Sequence, residues 1–423
     1  MEKAMKKQIF TAILSVIMLS GLFAQIHEEG TFQYLQNAFT ARNSDVMNYL
    51  IEEHSRFIEM YWDSPHCDEV LFMLGNLYED EELHAQAFMA YLKIKFLYPN
   101  SDRRNDAISN LNQIVHNKDE KTFREKRKFV DEFTSQSLSF TDKNNAYYDF
   151  LNFIYDLNIE DINKQLVKEI NVYIKLYSGK VKNADQLYFW IGDIYSKLSD
   201  WDESILAYTR IQYISPESIL IPQTLFQIGQ LQYKETKEYQ KSKDTFVKLI
   251  AAHPEVPIAG DAQFFLAELY EEKLDNPDEA VSNYRVLVET YANNQYAVES
   301  LKRVAEIMVD KKNYEEAIAS YHQIFELYPK AKFTSEALLE MESLYRRKLE
   351  NYEKAIEVLK IYADQFSNRE DAAEHLYNAA ELYRDELKNK QAAIETYNEV
   401  INKFPNSKYA KKSNDRIEDL KEE

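Results

Sequence analysis

Apolar residues return along this chain in steps of three and four, and that stepped pattern itself returns every 37 or 38 residues. The stretch "EEAIASYHQIFELYP", residues 315–329, shows the form. Ala317, Tyr321 and Ile324 share one helical face, charged residues fill the other, and Pro329 stops the helix. Equivalent helices end at Pro99, Pro216, Pro254 and Pro405, with Ala292 and Ser367 holding the same place in two more. From Pro216 to Pro405 the intervals are 38, 38, 37, 38 and 38 residues. Trp62 stands 37 residues before Pro99, and Ser178 stands 38 before Pro216. A blurred marker lies near Thr134, and the whole reads as an array of about ten repeats.

Three positions recur inside each helix. A small residue comes first: Ala87, Ser204, Ser242, Ala280, Ala317, Ala355 or Ala393. A large residue follows four later, as Tyr91, Tyr208, Phe246, Tyr284, Tyr321, Leu359 or Tyr397. An apolar residue follows three after that, as Ile94, Ile211, Leu249, Leu287, Ile324, Tyr362 or Val400. The small residue admits a neighbouring helix and the large one fills the space beside it. A second amphipathic helix precedes each of these. At one equivalent position it carries Gly75, Gly192 and Gly229, then Ala267, Ala305 and Ala380. Glycine inside a helix costs about 1 kcal/mol relative to alanine, so its recurrence predicts tight backbone packing there. Between the helices, Asp200, Asn276 and Asn313 stand three residues before Glu203, Glu279 and Glu316, which predicts capping boxes, with Pro277 at the first helical position.

The expected fold is all-α: helical hairpins in single file, each burying its apolar side against the next. This order and spacing resembles the tetratricopeptide repeat (TPR), as in Leu74-Gly75, Tyr78, Ala87, Tyr91 and Pro99. That family is a helix–turn–helix of about 34 residues; the period here is longer by about four. The resemblance implies a right-handed superhelical solenoid. It covers residues 67–101 and 184–407 strongly and 102–183 weakly. "YWDSPHCDEVLFMLGNLY" and "KFPNSKYAKKS" are similar to junctions in bacterial cell-envelope repeat proteins, among them the lipoprotein subunit of the outer-membrane barrel assembly machine and the periplasmic Tol–Pal-associated protein. The chain lacks the lipid-bearing cysteine of the first and the N-terminal trimeric coiled coil of the second.

The first residues change the picture of location. Lys3, Lys6 and Lys7 precede an apolar run from Ile9 to Leu19, and "SGLFAQ" offers cleavage after Ala24. This is the form of a secretory signal rather than a membrane span. The expected organisation is therefore a signal peptide at 1–24, N-terminal repeats at 25–101, divergent helical repeats at 102–183, regular repeats at 184–407 and a C-terminal capping helix at 408–423. The sole cysteine, Cys67, lies too far along to carry the lipid of a lipoprotein, and its place on a helical face predicts a small buried residue. The product is expected to be periplasmic or exported.

Net charge is −20, and residues 1–24 contribute +2 to it, so the remainder repels nucleic acid and anionic lipid. Residues 102–183 alone are near neutral, at +1, and contain the basic cluster "KDEKTFREKRK" with Lys121, Arg124, Lys126, Arg127 and Lys128. Such a run is expected to be a solvated helix face. Only seven glycines are present, and neither phosphate-binding nor nucleophile-elbow motifs occur. The eight histidines are scattered without zinc-site spacing, and His66 beside Cys67 has no companion pair. The acidic "YEDEEL" lacks the glycine and spacing of a calcium loop. No enzyme, cofactor or metal is expected.

In the resembled family the first helices line a concave face. Three residues before the glycine/alanine position stand Phe72, Phe189, Phe226, Phe264, Lys302, Leu339 and Tyr377. Six before it stand Glu69, Gln186, Gln223, Asp261, Glu299, Glu336 and Glu374. On that face they would form an aromatic stripe flanked by acids and amides, suited to a peptide or helix with apolar anchors and basic groups. Aromatics at this spacing also serve as core, and first-turn acids also meet the helix dipole. The expected function is a protein–protein interaction scaffold of the bacterial envelope, binding envelope proteins. The alternatives are a periplasmic chaperone or assembly factor for outer-membrane proteins, and an enzyme on envelope glycans.

Overall fold

In the computed structural model, which describes residues 27–117, 123–136 and 140–422, helices form wherever the three-and-four pattern runs, and no strand occurs among these residues. The signal peptide at 1–24 and Lys121 lie outside the described residues. The chain divides into two compact units, with the boundary in sequence between Leu220 and Ile221. The first contains α1 (27–40), a short 3-10 turn (Ser44–Val46), α2 (Met47–Met60), α3 (Cys67–Asp80), α4 (His84–Leu97), α5 (Arg104–His116), α6 (Arg127–Ser135), α7 (Lys143–Leu157), α8 (Glu160–Leu176), α9 (Ala184–Lys197) and α10 (Trp201–Ile214). The second contains α11 (Ile221–Lys234), α12 (Tyr239–Ala252), α13 (Pro257–Glu272), α14 (Pro277–Thr290), α15 (Ala297–Asp310), α16 (Tyr314–Leu327), α17 (Thr334–Arg347), α18 (Tyr352–Gln365), α19 (Ala372–Asp385), α20 (Lys390–Lys403) and α21 (Lys408–Glu422).

The periodicity is legible in these bounds. Helices α4, α10, α12, α14, α16, α18 and α20 each have 14 residues and end two residues before the marker position. All the small, large and apolar positions of the repeat are buried, from Ala87, Tyr91 and Ile94 to Ala393, Tyr397 and Val400. A fully buried Leu, Ile or Phe contributes about 1.5–3 kcal/mol, so each hairpin gains most of its stability from this face. In the second unit each helix packs on the one before and the one after, and α21 closes the row against α19 and α20.

The hinges follow one backbone rule. Glu82, Ser199, Lys237, Asp275, Lys312, Glu350 and Lys388 all have positive φ, between 49° and 62°, and each sits between the two helices of a hairpin. The reversal sends the backbone N–H of Asp200 to the Tyr195 carbonyl at 2.9 Å, that of Asn276 to Tyr270 at 2.9 Å and that of Asn313 to Met308 at 2.8 Å. This corrects the expected capping boxes. Those N–H groups are already engaged, so the glutamate three residues on has nothing to accept. One half of the box forms at Asn276, whose side chain accepts from the Glu279 N–H at 3.2 Å. Asp200 and Asn313 make no such cap. Asn313 instead donates through Nδ2 to Glu316 at 2.7 Å. The side-chain caps absent there appear at Asn351 and Asn389.

The first unit departs from single file. Helix α4 is buried on every side from Ala87 to Leu97 and packs on α3, α5, α7 and α8. A helix apolar all round requires cover all round, and α7 and α8 supply it by returning onto α4. Lys175 of α8 pairs with Glu59 of α2 at 3.1 Å, and Trp62 meets Tyr177 with ring centroids 5.1 Å apart. Two lysines are buried with α4. Lys93 pairs with Glu169 at 2.6 Å, and Lys95 donates to the Thr134 and Gln136 carbonyls at 3.0 and 2.9 Å. No helix among the described residues is long and apolar enough to cross a membrane.

Candidate partner-binding surface

The surface is set by how the first helix of each hairpin seats on the second. A Cβ on Gly75 would fall 2.4 Å from the Tyr91 ring, one on Gly192 2.6 Å from Tyr208, and one on Gly229 2.5 Å from Phe246. The glycines therefore receive an aromatic ring; the expected close approach of backbones is corrected to this. Ser204 donates to the Gly192 carbonyl at 2.7 Å, and Ser242 to the Gly229 carbonyl at 2.8 Å. The small and glycine positions are thus tied directly. In the α17–α18 hairpin the ring is replaced by Leu359, and Glu342 occupies the glycine position. Glu342 is buried there and pairs with Arg346 at 2.5 Å.

With the first helices held in this way, the residue three positions earlier reaches the surface to differing degrees. Phe72, Phe189, Phe226, Lys302 and Leu339 are half-buried, whereas Phe264 and Tyr377 are buried. Each aromatic tilts on the large residue of its own hairpin: Phe72 on Tyr91 at 5.8 Å, Phe189 on Tyr208 at 5.5 Å, Phe226 on Phe246 at 6.2 Å. The next repeat decides the rest. Tyr296 stacks on Phe264 at 4.3 Å, and Tyr409 covers Tyr377 at 5.5 Å. Phe226 is flanked by Phe265 at 5.8 Å, and Phe72 lies under the Arg103 guanidinium at 5.1 Å.

Two of the acids six positions earlier are joined to the following repeat. Glu69 accepts from Arg103 Nε at 2.5 Å and Nη2 at 2.9 Å. Asp261 accepts from Asn294 Nδ2 at 2.8 Å. Gln186, Gln223, Glu299 and Glu374 are half-buried, and Glu336 is exposed. The same helices carry a further polar layer that the sequence pattern did not single out. Glu271 accepts from the Tyr284 hydroxyl at 2.8 Å and from Arg303 at 2.6 Å. Its neighbour Glu268 is held above the usual carboxylate range by burial and then by Glu272. Chemically the surface offers apolar rings at half exposure beside carboxylates and amides.

Two other candidates resolve differently. Cys67 is fully buried, its thiol donates to the Tyr61 carbonyl at 3.1 Å, and burial pushes its pKa up to about 11. His66 stacks on Phe32 at 4.0 Å and pairs with Glu29 at 3.0 Å. In the basic cluster, Arg127 does not lie free on a solvated face. It donates to the Val115 and Asn117 carbonyls at 2.8 and 2.9 Å, closing the C-terminal end of α5.

Residues 185–218 and 223–255 match tetratricopeptide repeat models. The chain carries tetratricopeptide repeats. Within this TPR array, residues 308–423 also match the YfiO model, described as an outer membrane lipoprotein, and residues 241–338 the model of the soluble NSF attachment protein. No curated protein matches. Among solved structures, a TPR protein from Parabacteroides merdae is 17% identical over 52% of this chain and 80% of its own, with a TM-score of 0.33. The C-terminal part of a TPR protein from Cytophaga hutchinsonii is 15% identical over 73% and 99%, with a TM-score of 0.35. YrrB, described as a TPR protein with an unusual peptide-binding site, is 19% identical over 49% and 96%, with a TM-score of 0.33. TPR arrays act in protein–protein interaction.

Proposed function

We propose that this chain is a non-enzymatic interaction scaffold of the bacterial cell envelope that holds peptide or helical segments of envelope proteins on its first-helix face. The observation that carries the reading is the repeated ring-on-glycine seat. It seats the first helix of the α3–α4, α9–α10 and α11–α12 hairpins in the same way, so half-exposed Phe72, Phe189 and Phe226 recur at one helical position. Distributed apolar anchors on rigid helices suit extended or helical ligands. The envelope location is supported by the basic and apolar leader with its cleavage site after Ala24, and by the match of residues 308–423 to an outer membrane lipoprotein model.

A photo-crosslinking residue at position 226, used in intact envelopes, tests both parts. The expected outcome is a mature chain beginning at Gln25 and a discrete crosslinked protein, lost when the probe moves to exposed position 326. A chain retained in the cytoplasm, or equal crosslinking from both positions, overturns the reading. Phe226→Ala should weaken capture while leaving far-UV helicity intact.

A further inference from the structure

The second helices also share an outward register, two and nine residues after the small buried residue. In α12, α14, α16, α18 and α20 both positions are exposed, and neither is apolar beyond alanine: Asp244 and Ala251 in α12, Ser282 and Glu289 in α14, Glu357 and Asp364 in α18. Two helices break the rule. In α4 the positions are Met89 and Phe96, and both are buried, at 3% and 5% exposure. They are apolar because other helices cover them: Phe96 meets Phe150 and Phe153 of α7 at 5.7 and 5.9 Å. In α10 the positions are Leu206 and Tyr213, and they are 68% and 81% exposed. Ile214 and Ile219 extend the patch, the latter 91% exposed.

From this internal precedent we infer that the outer face of α10 is a docking site for one amphipathic helix of another protein, presenting aromatic anchors three residues apart as α7 presents Phe150 and Phe153 to α4. Leu206 and Tyr213 are seven residues apart and so lie on one stripe of the helix. The exposed charges beside them are Asp202, Glu203 and Glu217 against Arg210. This acidic rim, with the negative end of the α10 dipole near Tyr213, selects a partner helix with lysine or arginine at its edges. A second copy would bring the same acids together on a chain already at −20, which disfavours self-association. The site lies on a second helix and is separate from the first-helix surface proposed above.

The test uses the full chain and a synthetic labelled helix of about 18 residues, five turns, with phenylalanines at i, i+3 and i+7 and lysines at the rim, read by fluorescence anisotropy. Controls are a scrambled peptide and one with glutamates at the rim. Saturable binding of the lysine-rimmed helix alone is expected, weakened at least about tenfold by Leu206→Asp with Tyr213→Asp. Both residues are exposed, so far-UV helicity should be unchanged. Absence of saturable binding, equal binding of the scrambled peptide, or unchanged affinity in the double variant overturns the proposal. So does loss of binding in Phe226→Ala, which assigns the helix to the first-helix face. A dimer by sedimentation that the double variant converts to monomer assigns the α10 face to a second copy and overturns it equally.

Discussion

Tyr208 lies over Gly192 so closely that a Cβ on the glycine would stand 2.6 Å from the Tyr208 ring. The pair defines a volume exchange between the two helices of a hairpin, and the α17–α18 repeat shows it run in reverse, with Glu342 at the glycine position and Leu359 at the ring position. Leu359→Tyr alone should therefore overfill the buried site and lower stability by about 1–3 kcal/mol. Adding Glu342→Gly gives the arrangement of the three glycine-bearing repeats and should recover most of that loss. Denaturant unfolding of both single variants and the double variant should give a coupling of about 0.5–3 kcal/mol; strictly additive effects would show that the two positions do not share a volume.

The hinges supply a second case. Lys237, Lys312 and Lys388 hold φ values of 58°, 59° and 51°, where a side chain is strained by about 1 kcal/mol or more and glycine is not. Glycine also raises unfolded-state entropy, which offsets part of the gain. Each Lys→Gly change should stabilise by about 0.5 kcal/mol net, and the three, lying in different repeats, should add. Melting temperature checks the sign, and a fall in any of the three would show that the lysine side chain contributes something the backbone account omits.

These two cases show what the residue pattern could and could not reveal. Steps of four and three located Ala317, Tyr321 and Ile324 on the buried face because burial is dictated by side-chain type and helical period. The seat at Gly192 was visible as a cost, but its occupant was not, since the ring of Tyr208 comes from another helix. The capping boxes failed at Asp200 and Asn313 because hinge backbone geometry leaves no trace in side-chain spacing. Spacing alone does not separate groove from core within the stripe: Tyr296 and Tyr409 bury Phe264 and Tyr377 while Phe226 stays half-covered. Cover from a neighbouring repeat is a tertiary property. One further signal is present: apart from Lys93 and Lys95, "AFMAYLKIKFL" in α4 is wholly apolar, which a helix in single file with one wet face would not need.

His54 makes the first unit sensitive to acid. It is fully buried, its Nδ1 lies 2.7 Å from the Leu50 carbonyl, and its Nε2 has no hydrogen-bond partner. Burial lowers its pKa below the ordinary 6.5. The unfolded chain then takes up a proton below about pH 6.5 that the folded chain resists. The stability associated with neutral His54 is present above that pH and is lost as pH falls towards the folded pKa. Urea midpoints at pH 7.5 and 5.5 should fall more steeply for the wild type than for His54→Leu. Parallel slopes would show that His54 does not contribute to the acid response.

The return of α7 onto α4 has a measurable consequence for how stability is distributed. In a single-file array, removing a side chain weakens its own repeat and the adjacent ones. Phe153 belongs to α7 but packs 5.9 Å from Phe96 of α4. Truncating a buried phenylalanine costs about 3–5 kcal/mol. Phe153→Ala should therefore accelerate amide exchange in α4 as well as in α7, although more than fifty residues of sequence separate the two rings. In the wild type, α4 should be the slowest-exchanging helix of the first unit, because it alone is covered on all sides, and α21, covered only by α19 and α20, should be the fastest of the second. Hydrogen-exchange mass spectrometry on overlapping peptides separates these regions. Exchange that changes in α6 to α8 and leaves α4 untouched would mean that α4 draws its protection from α3 and α5, as single-file stacking requires.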